Sequence, residues 1–238
     1  MYRMAVASGR PQIEFRALKR RGEVRGAVLS LNGSDRAELK RACALAGMLS
    51  DRCILVAVDG GLNTCTAGRR RPDLFVGDGD SAEKVPPEIP AVLYAEDKDF
   101  SDLAGALAEL RDRKIRVVAI AGLLGGRLDH EWSNLFELRN WARFFDGIVA
   151  PAERGTVIVT SRGCRVATVR NRAFSLFSLS ATSTVTMSGV EYELRKRRIR
   201  PGSLGLSNVT GTELDLTVHA GVAALVFLPP AGRSTRSS

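Results

Sequence analysis

The stretch Cys53-Ile54-Leu55-Val56-Ala57-Val58-Asp59-Gly60-Gly61 decides the fold. Six consecutive apolar residues that run into an aspartate and paired glycines describe a strand buried on both faces and ended by a tight turn. The same signature recurs on either side. Upstream, Ala27–Leu31 is a short apolar run. It is followed by a helical stretch from Asp35 to Met48, with Asp35 at the N-cap and Glu38 three residues on, in the manner of a capping box. Downstream, Leu74–Val76 ends at Gly77-Asp78, and Val92–Tyr94 forms a further short strand. Ser101 or Phe100 then opens a helix whose Leu103, Ala106, Leu107 and Leu110 keep one apolar stripe. Ile115–Ile120 is again a strand, apolar apart from Arg116, ending at Gly122, and Asp129–Phe145 reads as a second long helix. Buried strands alternating with helices predict an α/β fold, with a three-layer domain around a mainly parallel sheet.

After Pro151 the period changes. Thr156–Thr160, Val166–Val169, Phe174–Leu179, Thr184–Val190, Leu214–Val218 and Val222–Leu228 are short β-type runs separated by turn residues. The expected layout is a basic arm over residues 1–25, an α/β domain over 26–150, an all-β sandwich or flattened barrel over 151–231, and a disordered tail over 232–238. The 238 residues suffice for a packed core without staples.

Composition removes several classes. The 45% apolar and 26% charged content is that of a globular protein. The longest apolar runs, Ile54–Val58 and Val222–Leu228, fall far short of the ~18 residues that span a bilayer. No uninterrupted apolar segment precedes Arg10 and Pro11, so no secretory leader is expected. Cys43, Cys53, Cys65 and Cys164 form no CxxC pair, which suits a reducing cytoplasm. With only His130 and His219 to join them, a zinc site is set aside. The formal charge of +9 raises nucleic acid as a partner. However, no aromatic residue interleaves with Arg195-Lys196-Arg197-Arg198 and Arg200, which read as a solvated hairpin, so nucleic-acid binding is not expected. Acidic residues are concentrated instead: nine lie between Asp73 and Asp102, against Lys84 and Lys98.

Ligands of open parallel sheets bind at the carboxyl ends of the strands. Four loops would meet there: Asp59-Gly60-Gly61, Gly77-Asp78-Gly79-Asp80-Ser81, Asp97-Lys98-Asp99-Phe100-Ser101-Asp102 and Gly122 through Gly125-Gly126-Arg127. Residues 77–82 fit G-x-G-x-x-A, but aspartates beside the turn would repel a dinucleotide pyrophosphate and Pro86-Pro87 cuts the helix short. A Walker A loop is absent from the sequence. Asp78 and Asp80, two apart, and Asp99 and Asp102, three apart at a helix start, suit a carboxylate-held Mg²⁺ that carries polyphosphate. Taken singly, each also fits an Asx-turn or a helix cap. Gly125, Gly126 and Arg127 suit phosphate, while Asp129 and His130 open the next helix; a plain glycine-rich connection capped by Asp129 reads equally well.

In this order, Asp59-Gly60-Gly61, Pro72-Asp73, Gly77-Asp78-Gly79-Asp80-Ser81, Lys98-Asp99-Phe100-Ser101-Asp102-Leu103, Gly125-Gly126-Arg127-Leu128-Asp129-His130 and Ser207-Asn208 resemble the thiamine pyrophosphokinase family. Gly189-Val190-Glu191-Tyr192-Glu193-Leu194 resembles its G-L-x-Y-x-L strand, and the likeness runs from about Ala27 to Pro229. The resemblance implies a homodimer in which the β-domain helps build the thiamine site at the subunit interface. It implies Mg²⁺-dependent transfer of pyrophosphate from ATP to the thiamine hydroxyl, releasing AMP. Carried over, Asp78, Asp80 and Asp99 would hold Mg²⁺ and phosphates, with Asp102 near the acceptor hydroxyl and Arg127 on phosphate. Asp129, Ser207 and Asn208 would place thiamine. Asp59, Gly60, Ser81, Lys98, Gly125, Gly126 and His130 would line the nucleotide and substrate pocket. Two departures stand out: Gly79 replaces a bulky aromatic, and Trp132 and Trp141 lie upstream of the β-domain, where animal members keep a stacking tryptophan. A pyrophosphokinase for another acceptor, such as a hydroxymethyl pterin, and a non-catalytic nucleotide or RNA binder are the rival expectations.

Overall fold

A computed structural model describes residues 12–16, 23–79 and 85–229. Most of the basic arm, Asp80, Ser81 and the tail from residue 230 lie outside the described residues. The chain divides into two compact units, one spanning residues 18–153 and the other combining the N-terminal segment with residues 154 onward.

The first strand, β1 (Gln12–Phe15), belongs to the second unit although it falls within the stretch expected to be a basic arm. Its alternating Ile13 and Phe15 give it an apolar face, and it pairs antiparallel with residues 164–167. The α/β unit then follows as β2 (Arg25–Ser30), α1 (Arg36–Leu49), β3 (Arg52–Val58), α2 (Gly61–Ala67), β4 (Leu74–Gly77), β5 (Ala91–Leu93), α3 (Asp102–Asp112), β6 (Val117–Ala121), α4 (Leu128–Trp141) and β7 (Gly147–Ala152). All its strand pairings are parallel, in the order β7-β6-β2-β3-β4-β5. Every residue of β4 and β6 is buried, so both faces of these strands are covered. Helix α1 packs on β2, β6 and β7, and α3 packs on β3 and β4.

Caps set the helix starts. Asp35 accepts the Glu38 amide at 2.6 Å and Ser101 accepts the Ala104 amide at 3.1 Å, each satisfying one of the orphan N–H groups of a first turn. Helix α4 starts without a side-chain cap, Asp129 lies inside its first turn, and a 3-10 turn at Ala142–Phe144 ends it. From β2 the chain moves outward through β3, β4 and β5, then returns to the other flank of β2 as β6. That reversal opens a crevice at the carboxyl ends of β2 and β6, the usual ligand position in such sheets. Gly61 makes the close approach beside it possible, because a Cβ there would stand 1.7 Å from the Ser30 carbonyl oxygen.

The second unit contains β8 (Gly155–Thr160), β9 (Gly163–Ala167), β10 (Ala173–Ser178), β11 (Ser183–Val190), β12 (Leu194–Ile199), β13 (Asn208–Ala220) and β14 (Ala223–Phe227), all antiparallel among themselves. One sheet runs β1-β9-β13-β11-β12 and another β8-β14-β10, with the start of β13 also pairing to β10. Buried positions alternate along β10, as one covered face requires, and the Phe174 and Phe227 rings stack at 5.5 Å. The basic run Arg195–Arg198 is exposed along β12, which among the described residues pairs with β11 alone, so its charge there lines a sheet edge.

Candidate active site

The chemistry-bearing residues of the α/β unit collect where β3, β4 and β5 end. Asp59 follows β3 with a left-handed backbone, φ 45°, and its amide donates to the Val76 carbonyl at 2.9 Å. Gly77 ends β4 against Asp59, where a Cβ would meet the Asp59 Cβ at 3.1 Å. Asp78 comes next, and Asp102 projects from the first turn of α3. One carboxylate oxygen from each of Asp59, Asp78 and Asp102 lies within 4.8 Å of the other two. Asp59 is buried, and its Oδ1 has no hydrogen-bond partner.

Lys98 supplies the compensating charge. Its Nζ lies 2.5 Å from Asp78 Oδ2 and 3.1 Å from Asp102 Oδ1, and its side chain is buried. Burial disfavours the ammonium, but the hydrogen bonds to Asp78 and Asp102 outweigh it and hold the Lys98 pKa above its ordinary value. Burial pushes the Asp102 carboxyl up, Lys98 opposes it, and the neighbouring Asp78 and Asp59 add to the rise. Three carboxylates, two of them sharing one ammonium and the third with an orphaned buried oxygen, form a donor set that fits a hard divalent cation with oxygen ligands.

Asp99 is exposed and stands outside this carboxylate group among the described residues; Asp80 and Ser81 are not described. The spacing of Asp78 from Asp80 and of Asp99 from Asp102 therefore did not find Asp59 as a close member. The sequence signal for Asp59 was its place at the end of a buried strand, the same signal that marks Asp78.

The glycine-rich loop after β6 is fastened at three points. The Gly122 amide donates to Glu38 Oε2 at 3.0 Å, Asn134 Nδ2 donates to the Leu123 carbonyl at 3.0 Å, and the Gly125 amide donates to the Glu131 carboxylate. The loop ends at Arg127, whose guanidinium forks onto Asp129 at 2.6 and 3.2 Å; both side chains are exposed. The Arg127 bond holds the Asp129 carboxyl below its usual range, and Asp129 in turn raises Arg127. Asp129 Oδ1 also accepts the amide of exposed His130 at 3.0 Å. Across the crevice, a Cβ on Gly33 would lie 3.8 Å from the Gly126 Cα, and one on Gly60 would strike the Asn32 side chain. Ser30 Oγ donates to the Gly61 carbonyl at 3.1 Å, and Thr64 Oγ1 to that of Ser34 at 2.8 Å. The loops after β2, β3 and β6 are thus one hydrogen-bonded rim. Glu38 and Glu131, which sequence patterning read as helix-opening residues or passed over, are its fasteners.

In the β-unit, Ser207 adopts φ 58° and its amide donates to Ser175 Oγ at 3.2 Å. Asn208 is buried. Its Oδ1 accepts the Tyr192 and Val209 amides at 3.1 and 2.9 Å, and its Nδ2 donates to the Tyr192 carbonyl at 3.0 Å. Its amide is spent on backbone, and the residue it holds, Tyr192, exposes its ring.

A parallel α/β unit that gathers carboxylates at its strand ends, beside a glycine-rich loop closed by arginine, has the groups that phosphoryl-transfer chemistry uses. Residues 45–148 match the family model described as thiamin pyrophosphokinase, catalytic domain. Over that segment the chain is similar to the thiamin pyrophosphokinase catalytic domain. The fold is similar to the thiamine pyrophosphokinase of Bacillus subtilis, with 19% identity, a TM-score of 0.70, and 86% of this chain and 99% of that chain covered. It is similar also to the thiamin pyrophosphokinase of Geobacillus thermodenitrificans, with 22% identity, a TM-score of 0.67, and coverage of 87% and 99%. For the Candida albicans thiamin pyrophosphokinase the values are 13%, 0.60, 92% and 99%. No curated protein matches the sequence.

Proposed function

We propose that the protein transfers the pyrophosphoryl unit of ATP to the hydroxyl of thiamine, giving thiamine diphosphate and AMP. The observation that carries the reading is the Asp59–Asp78–Asp102 group around Lys98, inside the segment matched to the catalytic domain. The thiamine hydroxyl oxygen forms a bond to the β-phosphorus, the bond from that phosphorus to the α,β-bridging oxygen breaks, AMP leaves with the electron pair, and the hydroxyl proton passes to a carboxylate or to water. Such transfer depends mainly on positioning and charge neutralisation. A Mg²⁺ ion held by Asp78 with Asp80 and Asp99, or by Asp78 with Asp59 and Asp102, would neutralise phosphate oxygens.

The chain's own residues have separable tasks. Lys98 neutralises Asp78 and Asp102 and keeps them together. The Gly125-Gly126-Arg127 loop receives phosphate, Arg127 exchanging Asp129 for phosphate oxygens. Asp129, Ser207 and Asn208 are assigned to thiamine, Asn208 through the backbone it fixes at Tyr192.

We further propose a homodimer. Leu128, Trp132 and Phe136 recur at every fourth position of α4 and are 70%, 60% and 54% exposed, an apolar stripe suited to a second copy. Four free cysteines, Cys53 exposed, support a cytoplasmic location. Among the described residues no helix is long and apolar enough to cross a membrane.

The test is AMP release from ATP and Mg²⁺, with and without thiamine, and with EDTA. Thiamine-dependent AMP that disappears with EDTA is expected. AMP release only with another acceptor, such as a hydroxymethyl pterin, overturns the substrate assignment, and no AMP under any of these conditions overturns the reaction.

A further inference from the structure

Glu38 sits three residues into the α1 cap, where a capping glutamate ordinarily stays in water, yet only 6% of it is exposed. Burying a carboxylate is costly unless it is hydrogen-bonded. Its Oε2 accepts the Gly122 amide at 3.0 Å, and the Asp35 backbone amide also favours its charged form. One carboxylate therefore ties the loop after β2 to the loop after β6, at the floor of the crevice where the strand order reverses. Gly122 has φ +82°, and a Cβ there would press on the Ser34 amide at 2.9 Å, so Glu38 reaches bare backbone.

We infer that Glu38 is a positioning residue for the reaction, holding the glycine-rich loop so that its amides and Arg127 meet the phosphates of the nucleotide. The inference rests on the reading that this loop receives ATP. Capping α1 does not require the Gly122 bond, and Glu38 lies outside the segment matched to the catalytic domain.

The tie is also sensitive to pH. Burial pushes the Glu38 carboxyl up to about 7, with the Gly122 amide opposing, Asp35 adding to the rise and Arg41 opposing it. The elements packed against α1 add no other charge near it. β6 and β7 carry only apolar residues, Gly and Pro; α2 carries Cys65 as its titratable group; Arg25 and Arg52 lie at the amino-terminal ends of β2 and β3. Protonation makes the carboxyl a weaker acceptor for the Gly122 amide, so the loop loosens as pH falls through about 7.

The experiment is steady-state kinetics with ATP, Mg²⁺ and thiamine from pH 6 to 9 on the wild type, Glu38→Ala, Glu38→Gln and Arg127→Ala, with a melting temperature for each. Glu38→Ala is expected to raise the ATP KM about tenfold or more at pH 8, with a smaller change in kcat. Glu38→Gln keeps an acceptor for Gly122, so its ATP KM stays close to wild type at pH 8 and lacks the wild-type rise toward pH 6. An unchanged ATP KM in a folded Glu38→Ala, or the same KM rise in Glu38→Gln as in the wild type, overturns the inference. If Glu38→Ala does not fold, the Glu38→Gln comparison decides alone. Arg127→Ala separates the levels: an unchanged ATP KM there overturns the reading beneath the inference, whereas a raised one beside an unaffected Glu38→Ala overturns the inference only.

Discussion

Lys98 and Glu38 show two ways in which a buried charge serves a site. Lys98 sits between Asp78 and Asp102 with all three side chains largely withdrawn from water, so removing its charge leaves two carboxylates facing each other. Lys98→Met is expected to cost about 3 kcal/mol or more of stability, and Mg²⁺ should restore part of it, because a cation on the carboxylates replaces the lost ammonium. Urea unfolding with and without Mg²⁺ measures both; a variant as stable as the wild type would remove Lys98 from its assigned task. Glu38 has the opposite sign. Its carboxyl stands at about 7 when folded against an ordinary 4.5, so the folded state binds the proton more tightly than the unfolded chain. The stability it contributes is fully present below about pH 4.5 and is lost as pH rises through about 7. Glu38→Gln should therefore gain stability over the wild type when unfolding is measured at pH 8, and little at pH 4.5. A gap that does not change with pH contradicts the assignment. Activity and stability pull this residue in opposite directions.

At the scale of elements, the site depends on where strands stop. β3 and β4 end one residue before Asp59 and Asp78, and the approach of α2 to β2 is set by Gly61, with no room for a side chain. Gly61→Ala is expected to destabilise by about 3 kcal/mol or more, because the new methyl must displace the Ser30 carbonyl. A chemical denaturation midpoint equal to wild type would show that the β3–α2 turn can shift. In the β-unit, Asn208 joins the turn before β12 to the start of β13 through three backbone hydrogen bonds. Asn208→Ala is expected to lose about 1–3 kcal/mol and, by releasing the Tyr192 backbone, to raise the thiamine KM more than the ATP KM. Equal effects on both substrates would leave Asn208 a role in the fold alone.

At the scale of the whole molecule, the α4 stripe decides the predicted assembly. Leu128, Trp132 and Phe136 share one exposed helix face while Leu138 is the buried apolar anchor of the same helix. Trp132→Asp is expected to shift the protein from dimer to monomer in light scattering and to leave its folding intact. A wild type that is already monomeric at micromolar concentration would refute the homodimer.

Much of this was legible in the sequence because it depends on local pattern. Short continuous apolar runs mark strands covered on both faces, and Val56–Val58 and Val117–Ala121 are buried throughout inside the parallel sheet, with the polar residues that follow them at its rim. Asp35 and Ser101 announced their helices by capping chemistry that acts within four residues. What the sequence could not determine was which carboxylates converge. Spacing paired Asp78 with Asp80, which lies outside the described residues, and Asp99 with Asp102; among the described residues the tertiary structure sets Asp78 and Asp102 beside Asp59, with Lys98 bridging the first two. The strand order also decided that Glu38 should meet Gly122, eighty-four positions away. The physical reason is that the periodicity of one strand reports only whether it is buried, while the neighbours it is buried among depend on packing of the whole sheet.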